Sequence, residues 1–152
     1  MQLPRVLITA AAVAAVSGLL WHSKASADAS QHYQPPLLQK AERALEHGNA
    51  ERTVALLHRR LATLRSGSER AEGYALLCRA QFDLGAIDVA EQHCDAAVQE
   101  VGGSLAWSHL NNRGVMRLLQ GRTDEALADF RAARYANPSS QEVRRNLALA
   151  RN

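Results

Sequence analysis

The apolar and small residues of this chain follow a pattern that recurs around three glycines. Gly48, Gly85 and Gly121 are separated by 37 and 36 residues. On both sides of each glycine, apolar or small residues recur every three or four positions, which places them on one face of a helix. Glycine suits the turn between two helices because it adopts a left-handed backbone at little cost. The pattern therefore predicts three helical hairpins and an all-α fold.

Equivalent positions in the three copies carry similar side chains. The residues seven before and five after each glycine are small, as expected where two helices of a hairpin approach most closely. They are Ala41, Cys78 and Gly114 before the glycines and Thr53, Ala90 and Ala126 after them. The first copy is eroded, because it departs from the pattern at Thr53 and Arg60. The second and third copies agree well.

This spacing resembles the tetratricopeptide repeat, a helix-turn-helix unit of about 34 residues. The third copy, residues 107–138, matches the family best, and the other two are residues 34–64 and 71–102. The residues of the third copy at the family's positions are Leu110, Gly114, Gly121, Ala126, Phe130, Ala133 and Pro138. The resemblance implies a tetratricopeptide-like α-α superhelix, a solenoid, within residues 37–152.

The pattern of residues 140–151 predicts a seventh helix. Repeat arrays need such a helix to cover the apolar face of the last hairpin. Ser139 or Ser140 can cap its start. Val143 and Leu147 belong to its apolar side. The alternative is that it is the first helix of a truncated fourth repeat, which would have the same physical role.

Residues 1–27 have the three parts of a signal peptide. A short segment with one positive charge at Arg5 precedes an uncharged apolar run over residues 6–21. An Ala-Ser-Ala sequence ending at Ala27 then fits the small-x-small cleavage rule. A membrane span needs about 20 apolar residues, and this run is shorter. We therefore predict cleavage after Ala27, with a second site at Ala29, and a periplasmic or secreted protein. The alternative is an uncleaved anchor in the inner membrane.

Cleavage would leave a chain of nearly balanced charge. Residues 28–152 hold 16 basic and 15 acidic side chains. Nucleic-acid binding needs a large excess of basic residues to contact phosphates, so no nucleic-acid partner is predicted. Residues 28–36 are polar and end in two prolines, which predicts an extended leader before the repeats.

The two cysteines of the chain lie in the second copy. Cys78 is seven residues before Gly85 and Cys94 is nine after it. On two antiparallel helices these positions are roughly level, which predicts a disulfide in an oxidising compartment. The alternative is a pair of reduced thiols that act as small core residues. The chain has no C-x-x-C motif, so no metal site is predicted at the cysteines.

The sequence contains no motif that predicts an enzyme. It has no glycine-rich phosphate loop, no H-E-x-x-H and no G-x-S-x-G. We therefore expect no catalytic residue, no cofactor and no metal. A hydrolase with a dispersed site is the less favoured alternative.

The resemblance implies that a protein or peptide partner binds the concave surface lined by the first helix of each hairpin. Asparagine and arginine side chains there can bond the main chain or the carboxylates of an extended peptide. The predicted partner-binding residues are Arg79, Asn111, Asn112, Arg145 and Asn146. The alternative is that they are ordinary solvated helix residues.

The expected function is a non-enzymatic scaffold or adaptor in the bacterial cell envelope. The chain resembles small exported tetratricopeptide proteins of bacteria, including those of pilus assembly. Pilus, secretion or envelope assembly is therefore the expected setting. If residues 6–21 are not cleaved, the protein would instead be an adaptor anchored to the membrane by its N-terminus.

Overall fold

The computed structural model describes residues 36–151. The predicted signal peptide, residues 1–27, and residues 28–35 of the predicted leader lie outside them. Within the described residues there are seven α-helices, two short 3-10 helices and no strand, so the predicted all-α fold is confirmed.

The helices pack as consecutive pairs. They are α1 (Pro36–Glu46), α2 (Ala50–Leu57), α3 (Gly67–Asp83), α4 (Ile87–Glu100), α5 (Trp107–Leu119), α6 (Thr123–Ala136) and α7 (Gln141–Leu149). The 3-10 helices, Leu61–Thr63 and Gly103–Ala106, precede α3 and α5. The first helices of neighbouring pairs are also in contact. Helix α1 contacts α3, α3 contacts α5, and α5 contacts α7.

The three glycines of the repeat interval form the turns within the pairs. Gly48, Gly85 and Gly121 have φ values of 72°, 75° and 77°. The residue after each glycine donates its N–H to the carbonyl five positions before it, at 2.9 Å in all three turns. This is the bond that ends a helix in the Schellman motif. A Cβ atom would meet nothing within 4 Å at these turns, so the left-handed backbone is what requires glycine.

Polar side chains begin three of the helices. Asn49 and Ser140 accept hydrogen bonds from backbone N–H groups in the first turns of α2 and α7. Ser66 begins α3 with a reciprocal pair of bonds, since its hydroxyl accepts from the N–H of Glu69 and the Glu69 carboxylate accepts from the N–H of Ser66. These caps satisfy donors that a helix leaves unpaired at its start.

The apolar core continues from one helix pair to the next. Leu38 and Leu57 of the first pair pack in one cluster with Leu77 of α3. Met116 of α5 packs with residues of α3 and α4. Val143 of α7 packs with residues of α5 and α6. Each pair therefore buries apolar surface that it cannot bury by itself.

In the third pair, Gly114 of α5 packs against the ring of Phe130 on α6. A Cβ atom on Gly114 would lie 2.6 Å from Cε1 and 2.8 Å from Cδ1 of this fully buried ring. Glycine is therefore needed here for space, although it lies in the middle of a helix, where it has a low propensity.

We expect Gly114→Ala to lower the free energy of unfolding by about 1–2 kcal/mol, because overpacking against Phe130 outweighs the gain in helix propensity. Urea denaturation measures the change. Gly102→Ala is the control, since Gly102 has a φ of −118° and a Cβ there would meet nothing within 4 Å. Equal unfolding midpoints for the two variants would contradict the expectation.

Candidate functional site

The polar side chains of the first helices form the candidate binding surface. Glu72, Arg79 and Asp83 of α3 are spaced by seven and four residues, so they share one side of that helix. Ser108 and Asn112 are four residues apart on α5, and Glu142 and Arg145 are three apart on α7, so each pair also shares one side of its helix. We call these seven residues the first-helix surface.

Three of the five predicted partner-binding residues belong to this surface. Arg79 is partly exposed, and its Nε donates to both carboxylate oxygens of Asp83 at 3.1 Å. An exposed ion pair of this kind contributes little to the stability of the helix. Its main effect is to orient the guanidinium of Arg79. Arg145 is exposed, whereas Asn112 is buried, with only 9% of its surface accessible.

The structure places the other two predicted residues, Asn111 and Asn146, in the interior. Both are fully buried, and Asn146 Nδ2 donates to Asn111 Oδ1 at 2.9 Å. The prediction of a surface position is corrected for a physical reason: α7 packs against α5, so the sides that face each other are closed to solvent. A complementary amide pair meets the hydrogen-bonding needs that burial creates there. Asn111 and Asn146 therefore join α7 to the rest of the protein.

The charge of the surface differs from what asparagine and arginine alone suggested. The first-helix surface holds three acidic side chains and two basic ones. The acids are Glu72, Asp83 and Glu142, and the basic residues are Arg79 and Arg145. Such a balance attracts basic segments and repels the carboxylates of a partner.

The predicted disulfide is confirmed. Cys78 of α3 and Cys94 of α4 are bonded, with their Cα atoms 5.1 Å apart, and both are buried. The sulfur of Met116 on α5 lies 3.9 Å from that of Cys78. The bond therefore lies in the core and fixes α3, which carries part of the first-helix surface, to α4.

A buried carboxylate between α5 and α6 was not predicted from the sequence. Only 5% of the Asp129 side chain is exposed. It accepts hydrogen bonds from Nε and Nη2 of Arg113 at 3.0 and 2.6 Å, and from Nη1 of Arg117 at 2.8 Å. Two arginines on one carboxylate make a strong charge-assisted contact between the helices of the third pair.

The same arginines also reach α4 in the second pair. Arg113 Nη1 donates to Asp95 at 2.7 Å, and Arg117 lies 3.5 Å from Glu91. Arg122 donates to Glu91 at 2.7 Å. We call this set of charged residues, with Asp129 and Glu125, the interpair network.

Arg122 lowers the pKa values of two glutamates of the interpair network. Hydrogen bonding from Arg122 is the main cause that lowers the pKa of Glu91, against the effect of burial. The same guanidinium lowers the pKa of Glu125. Both groups therefore stay ionised and paired at neutral pH. The sequence did contain two acids four residues apart on α4 and two arginines four residues apart on α5. This spacing predicts ion pairs only once α4 and α5 are known to be neighbours.

Within residues 36–151, no group of three or more histidine, cysteine or acidic side chains is placed to hold a metal ion. None of the helices there combines the length and apolar character that crossing a membrane requires. No protein-family model matches the chain, and no curated protein matches it either. The geometry and charge of the first-helix surface are therefore what support a function.

Proposed function

We propose that the protein is a non-enzymatic scaffold or adaptor whose helix pairs form a tetratricopeptide-like solenoid and bind a protein segment along the first-helix surface. The observation that carries the proposal is the succession of contacts from α1 to α3, α5 and α7. It brings the first helices of separate pairs next to one another. An extended segment can then contact several pairs at once, which no single helix pair allows.

The partner segment should be neutral or basic. Glu72 and Asp83 are on the surface of α3, and Glu142 is on that of α7. Lysine or arginine side chains of a partner would find carboxylates there. An acidic C-terminal tail is a poor fit for the same reason.

The disulfide supports a location outside the cytoplasm, since such bonds persist in oxidising compartments. Together with the predicted signal peptide, it favours a periplasmic or secreted adaptor. Assembly of a pilus, a secretion system or the envelope is the proposed setting. If residues 6–21 are retained, the same surface would serve an adaptor anchored to the membrane.

The test compares two variants that lose the same charge. Glu72→Gln with Asp83→Asn neutralises the first-helix surface, whereas Asp88→Asn with Asp124→Asn neutralises exposed acids at the starts of α4 and α6. Tagged full-length chains are expressed in the native host, cross-linked and purified, and co-purifying proteins are quantified by mass spectrometry. Thermal unfolding checks that each variant is folded.

A partner of this surface should be recovered about fivefold less with the first variant and undiminished with the second, as expected for the loss of about 1 kcal/mol of binding free energy. Recovery that is equal in the two variants would overturn the proposed surface.

A further inference from the structure

Residues 28–152 have nearly balanced charge, but this charge is unevenly distributed along the sequence. Residues 67–101 hold seven acidic side chains and two arginines. In residues 130–151, by contrast, Glu142 is the only acid among five arginines. These are Arg131 and Arg134 of α6, Arg144 and Arg145 of α7, and Arg151 after it. We call these five residues the C-terminal basic end.

All five arginines are exposed, and within residues 36–151 none of them forms an ion pair with a carboxylate. They differ in this from Arg113, Arg117 and Arg122, whose charges are met inside the interpair network. Because these guanidinium groups are exposed and form no ion pair with a carboxylate of residues 36–151, they are available to bind an anionic partner outside the chain.

The C-terminal basic end belongs to one part of the fold. Helices α6 and α7 pack against each other across a four-residue turn, 137–140. Arg144 Nη1 donates to the carbonyl of Pro138 at 3.3 Å, which places this guanidinium at the turn. Arg134 lies in the last turn of α6, just before it. The arginines are therefore spread along two adjoining helices, α6 and α7, and a residue just after α7.

Two large apolar side chains are exposed on the same helices. Tyr135 of α6 is 90% exposed and Leu149 of α7 is 41% exposed. Tyrosine is suited to a boundary between water and lipid, since it has an apolar ring and a polar tip. The two do not amount to the contiguous apolar core that a stable protein interface contains.

We infer that the C-terminal basic end binds the anionic phospholipid headgroups of a membrane surface. Guanidinium groups bond phosphate oxygens in a bidentate manner. Attraction of dispersed arginines to a charged bilayer adds up without a fixed arrangement of side chains, which suits arginines spread over two helices. An acidic protein segment would instead favour converging side chains around an apolar anchor, and the two exposed apolar residues do not supply one.

This inference goes beyond the proposed adaptor function and does not depend on it. The first-helix surface and the C-terminal basic end carry opposite charge and involve different side chains, apart from Arg145, which lies where they meet. A protein that uses both would hold its partner segment beside a membrane.

Vesicle flotation with the full chain tests the inference. Vesicles of phosphatidylcholine alone are compared with vesicles that also contain phosphatidylglycerol, at low and high salt. We expect binding only to the anionic vesicles, and we expect salt to weaken it. Arg131→Gln with Arg134→Gln should weaken this binding about 25-fold, from about fivefold for each charge lost at the surface.

The matched control is Arg59→Gln with Arg60→Gln, which removes the same charge from two exposed arginines after α2. Every variant retains the same N-terminal segment, so any contribution of that segment is common to all. The control should bind anionic vesicles like the unmodified chain. Equal binding to neutral vesicles, equal losses in the two variants, or no loss in the first would each overturn the inference. So would binding to a poly-aspartate peptide without binding to vesicles, which would indicate an acidic protein partner.

Discussion

Replacement of Asp129 by alanine is expected to lower the free energy of unfolding by about 3 kcal/mol, the low end of the cost of breaking a buried ion pair. The low end applies because Arg113 still bonds Asp95 and Arg117 still lies near Glu91. The variant leaves Arg113 and Arg117 with their side chains 17% and 14% exposed and without the carboxylate that both of them contact. The cost comes mainly from these largely buried cations, which water cannot reach well. Urea denaturation measures the effect.

Two further variants separate this cost from a general effect of losing an acid. Glu46→Ala removes an exposed carboxylate from the end of α1 and should change stability by no more than about 0.5 kcal/mol. Arg113→Ala combined with Asp129→Ala should cost less than the sum of the single changes, by about 0.5–3 kcal/mol, since the two residues act together. Additive effects would mean that Asp129 and Arg113 are not coupled as the structure has them.

Reduction of the disulfide between Cys78 and Cys94 is expected to destabilise the folded protein by about 3 kcal/mol. The bond closes a loop over a sequence separation of 16, and the chain-entropy model assigns a loop of this size about that much. The two thiols would remain buried as small core residues, so the packing is largely retained. The measurement is urea denaturation with and without dithiothreitol.

The control for this prediction is Cys78→Ala with Cys94→Ala, which should be destabilised without reductant and should not respond to it. If the unmodified protein unfolds at the same urea concentration in both conditions, the disulfide contributes nothing to stability. Intact-mass measurement with and without reductant shows independently whether the bond was present.

The short second helix of the first pair illustrates how local sequence decides the end of a helix. Helix α2 stops at Leu57, and the following residues form a turn and a 3-10 helix at Leu61–Thr63. The later copies have alanine at the position of Arg60, and their second helices run to Glu100 and Ala136. Arg60 is exposed in the turn, so the erosion noted in the sequence coincides with a loss of helix.

Only part of the candidate site could be predicted from the sequence. Helical spacing was enough to propose polar positions on the first helices, and Arg79 and Arg145 are at the surface. Asn111 and Asn146 look equally suitable as groove residues in the sequence. Their burial depends on how closely α7 approaches α5, which no local pattern specifies.

The sequence by itself determined the three glycine turns and placed Cys78 and Cys94 level with each other, but it left open whether the two are bonded. Turns and antiparallel helix pairs involve residues fewer than twenty positions apart. They can therefore be predicted from the period of the apolar residues and from the positions of the turn glycines. The resemblance to tetratricopeptide repeats stays a prediction, as does the signal peptide.

Only the tertiary structure decided the interpair network and the burial of the asparagine pair. Glu91, Arg113 and Asp129 lie on three helices, and each alone reads as an ordinary solvated charge. Whether a charge is solvated or buried against an opposite charge depends on which helix faces are brought together. That choice follows from the packing of all the pairs at once, so a single helix could not reveal it.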